Sequence, residues 1–157
     1  MKKFKLAAMG GTFDFIHKGH ITLLSEAFLI SEKVIIGLTS DELASKKGKT
    51  LQNDYEKRFE NLAKIIEHNF PDSFYEISKL DNDFGPAVLE EGVQALIVSD
   101  ETSYQGNVLN QLRKENGLPL VEVVVVPLVL AKDGVRISTT RIRNKEIDNE
   151  GNLSSVD

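Results

Sequence analysis

Short apolar runs alternate along this chain with stretches whose apolar residues recur at helical spacing, and this alternation constrains the fold more than any other feature. The clearest runs cover residues 4–9, 34–38, 95–98 and 120–126, and a weaker run covers residues 74–77. Runs of this length that are mostly apolar on both faces are typical of strands in a parallel sheet that helices cover on both sides. The runs therefore predict five buried strands.

Helical stretches lie between these strands. Helices are predicted for residues 18–31 and 108–115, and a third begins near Asn53, which has the spacing of a capping box. Two shorter helices are expected at residues 86–91 and from Ser138 onward. Strand–helix–strand connections are parallel and right-handed in nearly all known proteins. The pattern thus predicts an α/β fold: a Rossmann-like, doubly wound five-stranded parallel sheet with helices on both faces.

Length and composition limit the domain organisation and the partners. A chain of 157 residues fits one domain, which we place at residues 1–147, followed by a polar, acidic tail at 148–157. No window approaches the roughly 18 uninterrupted apolar residues of a membrane span, and no cysteine is available for a disulfide or a thiolate metal site. We therefore expect a cytoplasmic protein without a membrane partner. The net charge of −5 argues against nucleic acid as a partner, and the oligomeric state stays open.

The segment after the first strand carries two histidines, His17 and His20, at the start of the first predicted helix. Their spacing of three residues puts both imidazoles on one helix face. Backbone N–H groups and the helix dipole attract phosphate at such a position, and Gly19 leaves room for a ligand to approach. Zinc would need a third protein ligand, and His68 is the only other histidine. The segment therefore favours an anionic ligand over a metal ion.

Further hydroxyl and basic side chains follow other strands at the same predicted edge of the sheet. The last predicted helix opens with three hydroxyl side chains and an arginine, namely Ser138, Thr139, Thr140 and Arg141. A basic loop with lysines at positions 46, 47 and 49 follows the second strand. Hydroxyls, helix N–H groups and a guanidinium can converge on one anion. Two helix starts of this kind at one sheet edge predict a site for a nucleoside triphosphate.

Two sequence motifs in these segments resemble those of a known family. The run Gly-Thr-Phe-Asp-x-x-His-x-Gly-His at residues 11–20, with Ile-Ser-Thr-Thr-x-Ile-Arg at residues 137–143, resembles the nucleotidyltransferase superfamily of Rossmann-like folds. Within that superfamily, residues 98–102 and 117–134 are similar to the archaeal phosphopantetheine adenylyltransferases. The resemblance extends from residue 5 to about residue 150.

This resemblance implies transfer of AMP from ATP to the phosphate of 4′-phosphopantetheine, which yields dephospho-coenzyme A and pyrophosphate without a covalent enzyme intermediate. It implies that His20 stabilises charge on the α-phosphate in the transition state and that His17 holds the triphosphate. Thr12 and Lys49 are expected to bind the attacking phosphate. The catalytic residues implied in this way are His20, His17 and Lys49.

The resemblance also implies the contacts to ATP. The residues that it assigns to ATP are Gly10, Gly11, Phe13, His17, Asp100, Glu101, Thr102, Ser138, Thr139, Thr140 and Arg141. We expect Mg²⁺ to arrive with the triphosphate, without a dedicated metal cage in the protein, and to help relieve the repulsion between two approaching anions.

Two other functions are compatible with the same motifs. A cytidylyltransferase or an FAD-synthase-like nucleotidyltransferase shares the fold and the motifs, but an Arg-Thr-Glu-Gly run typical of cytidylyl transfer is absent before Ile137. A non-catalytic nucleotide-sensing module would bind ATP through the same backbone groups. The presence of His17, His20 and Lys49 favours an enzyme over such a module.

Overall fold

The computed structural model describes residues 2–82, 84–85, 90–99 and 102–127. Within these residues the elements are, in chain order, β1 (Phe4–Gly11), α1 (Lys18–Ile30), β2 (Ser31–Thr39), α2 (Asp41–Lys46), α3 (Tyr55–Asn69), β3 (Phe74–Leu80), β4 (Ala95–Ser99), α4 (Tyr104–Glu115) and β5 (Glu122–Val126). No helix in this part of the chain is both long enough and apolar enough to cross a membrane.

The five strands form one sheet in the order β3-β2-β1-β4-β5, and every neighbouring pair is parallel. The predicted fold class is therefore confirmed. The strand order reverses direction beside β1, and such a switch point is where doubly wound sheets bind ligands. β1 is longer than predicted, because Gly10 and Gly11 pair with Gly37 and Leu38 of β2 instead of forming a turn.

Helices cover both faces of the sheet. On one face, α1 and α3 pack against a core cluster that contains Leu24, Leu62 and Ile66, all fully buried. On the other face, Leu109 of α4 packs in a second cluster. This arrangement follows from the topology, because β1, β2 and β3 advance in one direction and β4 and β5 in the other.

Helix boundaries differ from the sequence prediction at two places. Asp54, not Asn53, is the N-cap of α3, and its Oδ1 accepts a hydrogen bond from the backbone N–H of Lys57 at 2.9 Å. Helix α4 begins at Tyr104, four residues before the predicted start at Val108, because its first turn lacks the apolar spacing on which the prediction relied.

Other predicted elements fall wholly or partly outside the described residues. For the short helix predicted at residues 86–91, only Glu90 and Glu91 are described, and neither is helical. The helix predicted from Ser138 and the tail at residues 148–157 lie outside the described part of the chain, so the domain boundary at residue 147 stays a prediction.

Gly106 sets how closely α4 approaches β5. A Cβ atom at this position would collide with both methyl groups of Val123. We expect Gly106→Ala to lower the free energy of unfolding by about 1–2 kcal/mol, since overpacking costs about 1–3 kcal/mol and the gain in helix propensity is only about 1 kcal/mol. Urea unfolding measures the change. Asn107→Ala, at the next and exposed position, should differ from wild type by less than about 0.5 kcal/mol, and equal effects of the two substitutions would contradict the close packing.

Candidate active site

A cavity of about 170 Å³ lies at the carboxyl ends of β1, β2 and β4. Apolar side chains line it, among them Ala8, Ile35, Leu80, Phe84, Leu96 and Val98. Polar side chains also line it, namely Thr12, Thr39, Lys47, Lys49, Thr102 and Gln105. Gly10 and Gly37 add no side chain, and a Cβ on Gly37 would come within 2.7 Å of Leu80. The cavity can therefore hold a partly apolar ligand beside polar groups.

The two histidines cap the start of α1. His17 is the N-cap residue, and its Nδ1 accepts a hydrogen bond from the N–H of Gly19 at 3.0 Å. The Nδ1 of His20 accepts in return from the N–H of His17 at 3.1 Å. The two rings stack with their centroids 3.9 Å apart. Neither histidine lines the cavity.

These hydrogen bonds determine the tautomer of each imidazole. A ring nitrogen that accepts a hydrogen bond carries no proton, so His17 and His20 carry their protons on Nε2 in this arrangement. The caps also engage the N–H groups of His17 and Gly19, so these two backbone groups donate to the imidazoles and not to a phosphate. The imidazole Nε2–H groups are therefore donors at this helix start in addition to the backbone.

Glycines on either side of the histidines make room for aromatic rings. A Cβ on Gly19 would stand 2.8 Å from Cε1 of His17, so this glycine admits the capping ring itself. A Cβ on Gly11 would stand 3.0 Å from the ring of Phe13, which is 2% exposed and lies 5.0 Å from the ring of His20. Phe13 has a φ of 50°, which is uncommon for a residue other than glycine. Its ring supports His20 from the core, and its predicted contact with the nucleotide stays a prediction.

Thr12 and Lys49, which the resemblance assigns to one phosphate, lie in contact. Lys49 Nζ donates a hydrogen bond to Thr12 Oγ1 at 3.0 Å, across 37 residues of sequence. Both residues line the cavity. Loss of hydration, with the charge of Lys47 nearby, lowers the pKa of the Lys49 ammonium below its usual value. An anion bound at this pair would relieve that electrostatic cost.

Sequence reasoning missed two buried charged residues that surround this pair. Asp14 is 3% exposed and accepts hydrogen bonds from the backbone N–H groups of Gln52 and Asn53. Arg58 is fully buried and donates hydrogen bonds to four acceptors in three segments, at Thr12, at residues 39–41 and at Asn53. A signal was present, because Arg58 lies four residues before Leu62 on the buried stripe of α3.

The remaining predicted residues are only partly described. Gly10 and Gly11 line the cavity from β1. Thr102 also lines it, and its Oγ1 accepts a hydrogen bond from the N–H of Ser99 at 3.1 Å, which closes the turn after β4. The other predicted ATP ligands lie outside the described residues, and they are Asp100, Glu101, Ser138, Thr139, Thr140 and Arg141.

Comparison with known proteins decides the family. A family model described as cytidylyltransferase-like matches residues 8–145. A phosphopantetheine adenylyltransferase of Methanosarcina barkeri is 48% identical over 149 residues, covering 93% of this chain and 91% of that protein. The chain belongs to the phosphopantetheine adenylyltransferase family. A phosphopantetheine adenylyltransferase of Methanothermobacter thermautotrophicus is 40% identical, covering 97% of this chain and 91% of that protein.

Solved structures share the fold of this chain. A crystal structure of an Archaeoglobus fulgidus protein of unknown function superposes with a TM-score of 0.69 at 30% identity, covering 80% of this chain and all of that chain. A lipopolysaccharide core biosynthesis protein of Thermoplasma volcanium superposes with a TM-score of 0.63, covering 78% of this chain and 95% of that chain, and at 21% identity this likeness concerns the fold alone. The fold of this family member is therefore shared beyond the phosphopantetheine adenylyltransferases.

The tautomers of the capping histidines can be measured directly. We expect long-range ¹H–¹⁵N spectra at pH 8 to give His17 and His20 an unprotonated Nδ1 and a protonated Nε2, because each Nδ1 accepts a backbone N–H. His68, exposed on α3, serves as the internal reference. Gly19→Ala should change the His17 signals, since the added methyl group meets its ring. A protonated Nδ1 on either capping histidine would contradict the arrangement.

The ion pair between Asp41 and Arg58 predicts how stability depends on pH. Loss of hydration alone would raise the pKa of Asp41, but the hydrogen bonds from Arg58 and from the Tyr55 N–H, with the charges of Arg58 and Lys79, hold this pKa below its ordinary value of 3.8. The carboxylate therefore contributes stability above pH 3.8, and the contribution disappears as the pH falls through the lower pKa of the folded state.

We expect Asp41→Asn to be less stable than wild type at pH 6, with a difference that narrows towards pH 3. Urea unfolding at both pH values measures it. Glu42→Gln, at the neighbouring exposed carboxyl, is the control and should change stability by less than about 0.5 kcal/mol at pH 6. A difference for Asp41→Asn that stayed constant or widened on acidification would show that the carboxylate is not the group responsible.

Proposed function

We propose that this chain transfers the adenylyl group of ATP to 4′-phosphopantetheine, which gives dephospho-coenzyme A and pyrophosphate in coenzyme A biosynthesis. The observation that carries the proposal is the contact between Lys49 and Thr12 beside a partly apolar cavity, in a chain whose relatives at 40–48% identity are named phosphopantetheine adenylyltransferases. A cysteine-free sequence suits a reducing compartment, and we place the reaction in the cytoplasm.

The acceptor phosphate binds between Thr12 and Lys49 in this proposal. An ammonium and a hydroxyl 3.0 Å apart offer donors to two oxygens of one phosphate. The pantetheine arm, which carries amides and aliphatic groups, then occupies the cavity beside Leu80 and Phe84. The phosphate thereby contacts hydrogen-bond donors, and the aliphatic part of the arm contacts apolar side chains.

The histidines act on the nucleotide. With its proton on Nε2, His20 donates a hydrogen bond to the α-phosphate as charge develops there, and His17 donates to the triphosphate in the same way. Gly10, Gly11, Phe13 and Thr102 line the nucleotide, together with Asp100 and Glu101. The hydroxyls of Ser138, Thr139 and Thr140, with Arg141, hold the β- and γ-phosphates.

The reaction needs no protein nucleophile. An oxygen of the acceptor phosphate attacks the α-phosphorus of ATP, the bond from that phosphorus to the bridging oxygen of the β-phosphate breaks, and pyrophosphate leaves with both electrons. The attacking oxygen is already anionic, so no strong base is required. Lys49 and the two histidines therefore act by placing the reactants and stabilising charge.

We expect Mg²⁺ to enter this site bound to the triphosphate. No three acidic or histidine side chains come together as a metal site within residues that the structure describes. When bound, Mg²⁺ neutralises charge on the triphosphate and on the pyrophosphate that leaves. We propose that the triphosphate supplies its main ligands and that the protein surrounds the complex with Lys49 and the histidines.

One observation supports a second candidate, which is cytidylyl transfer from CTP. The matching family model is described as cytidylyltransferase-like. Against CTP stand the names of the relatives, which are adenylyltransferases at 34–48% identity. A nucleotide-sensing module without catalysis is a third candidate, and the contact between Lys49 and Thr12 at the cavity favours an enzyme over it.

Release of pyrophosphate distinguishes these candidates. Purified protein is incubated with Mg²⁺ and 4′-phosphopantetheine, with ATP in one reaction and CTP in a parallel one. We expect release with ATP that depends on the acceptor. Pyrophosphate release with CTP but not with ATP would favour the second candidate. Binding of ATP without pyrophosphate release from either nucleotide would favour the third.

His20 should contribute strongly to turnover. We expect His20→Ala to lower kcat about 10²–10³-fold, because one preorganised donor to developing charge stabilises the transition state by about 2.7–4 kcal/mol. His68→Ala, the same substitution at an exposed histidine, is the matched control and should leave kcat unchanged. A loss of less than about threefold for His20→Ala would remove His20 from the catalytic role.

A further inference from the structure

The guanidinium of Arg58 joins the loop after β1 to the end of β2. Its NH1 nitrogen donates to the carbonyl oxygen of Thr12 at 2.9 Å and to that of Thr39 at 2.7 Å. The side chain is fully buried, and its hydrogen bond to Thr39 is buried as well, while the one to Thr12 is partly buried. The backbone of Thr12 is thereby fixed by a residue 46 positions further along the chain.

The same side chain reaches two segments on either side of Lys49. Its Nε donates to the carbonyl oxygen of Asn53 at 3.1 Å, and its NH2 nitrogen donates to Oδ1 of Asp41 at 2.7 Å. Asp41 opens α2, and the N–H of Lys49 bonds to Ala44 of that helix at 2.9 Å. Arg58 therefore holds the chain both before and after Lys49.

Asp14 fixes the same segment from the loop after β1. Its two carboxylate oxygens accept from the N–H groups of Gln52 and Asn53, each at 3.0 Å. The side-chain amide of Asn53 donates to the carbonyl oxygen of Asp14 at 3.0 Å. Two independent sets of hydrogen bonds thus attach residues 52–53 to the loop that contains Thr12.

Burying the charged guanidinium of an arginine costs desolvation free energy. Among the residues that the structure describes, the carboxylate paired with Arg58 is that of Asp41, whose side chain is 47% exposed. Apolar residues of similar volume often stabilise a protein as well as a buried ion pair does, whereas a guanidinium fixes several acceptors in one geometry. One acceptor of Arg58 is the backbone of Thr12 itself, and two others, Asp41 and Asn53, lie before and after Lys49 in the chain, so Arg58 holds both sides of the Thr12–Lys49 contact.

We propose that Arg58 is a positioning residue for the acceptor phosphate. With Asp14, it holds Lys49 Nζ against Thr12 Oγ1 before the acceptor arrives, so that binding does not have to order the segment between α2 and α3. This inference rests on the proposed function, because it takes Thr12 and Lys49 as the acceptor-phosphate site.

Arg58→Lys tests the proposal, since lysine keeps the charge but cannot reach four acceptors at once. We expect KM for 4′-phosphopantetheine to rise at least tenfold, with KM for ATP within threefold of wild type. Arg113→Lys is the matched control, because Arg113 is equally buried and bonds to carbonyl oxygens of Pro119 and Glu90 in another part of the fold. It should lower stability and leave both KM values unchanged. Equal increases in both KM values for Arg58→Lys would overturn the proposal.

A double-mutant cycle asks whether Arg58 acts through Lys49. In a Lys49→Met background, the effect of Arg58→Lys on the acceptor KM should be at least threefold smaller than in wild type. An undiminished effect would mean that Arg58 acts elsewhere. Asp14→Asn offers a second route if Arg58→Lys fails to fold, and the same selective rise in the acceptor KM is expected. An unchanged acceptor KM in that variant would overturn the proposal.

Hydrogen exchange separates failure of this proposal from failure of the proposed function. Exchange of the backbone N–H groups of residues 47–53 requires no turnover, and we expect it to be at least tenfold faster in Arg58→Lys than in wild type or Arg113→Lys. A wild-type protein that released no pyrophosphate would refute the function, and the exchange result would still decide whether Arg58 anchors the segment. Unchanged exchange at residues 47–53 would overturn the anchoring.

Discussion

The loop that follows β1 is held by hydrogen bonds from buried charged groups, and the geometry of the site depends on this. The guanidinium of Arg58 binds the carbonyl oxygen of Thr12, while the carboxylate of Asp14 binds the chain next to α3. Between Thr12 and Asp14, Phe13 has a left-handed backbone conformation, which costs energy and persists only where neighbouring structure enforces it. One fixed loop thus directs Thr12 towards Lys49 and the ring of Phe13 towards His20.

The start of α1 uses its histidines in an unusual way. A helix N-terminus usually offers backbone N–H groups to a phosphate. Here His17 and His20 accept two of the nearby N–H groups through Nδ1, and the same hydrogen bonds set the protons on Nε2. The imidazoles therefore add side-chain donors to the backbone groups of this helix start. Gly19 is needed at this position because any larger residue would meet the ring of His17.

Much of the fold could be predicted from the sequence because the strands are short apolar runs and the helices have apolar stripes. The resemblance assigns Thr12 and Lys49 to one phosphate, and the structure places the two side chains in contact, while their binding of that phosphate stays a prediction. Arg58 and Asp14 were missed as anchors, since the hydrogen bonds that attach them to distant segments, such as those from Arg58 to Thr12 and from Gln52 to Asp14, join residues 46 and 38 positions apart and leave no periodic pattern. The N-cap of α3 was misplaced by one residue because Asn53 and Asp54 are both good caps, and the choice depends on the bond between Asn53 and Asp14.

A structure of the protein bound to 4′-phosphopantetheine tests whether the Thr12–Lys49 pair binds the acceptor phosphate. We expect the acceptor phosphate within hydrogen-bonding distance of both Thr12 Oγ1 and Lys49 Nζ, with the pantetheine arm in the cavity at the carboxyl ends of the strands. A phosphate bound away from this pair, with the arm outside the cavity, would contradict it.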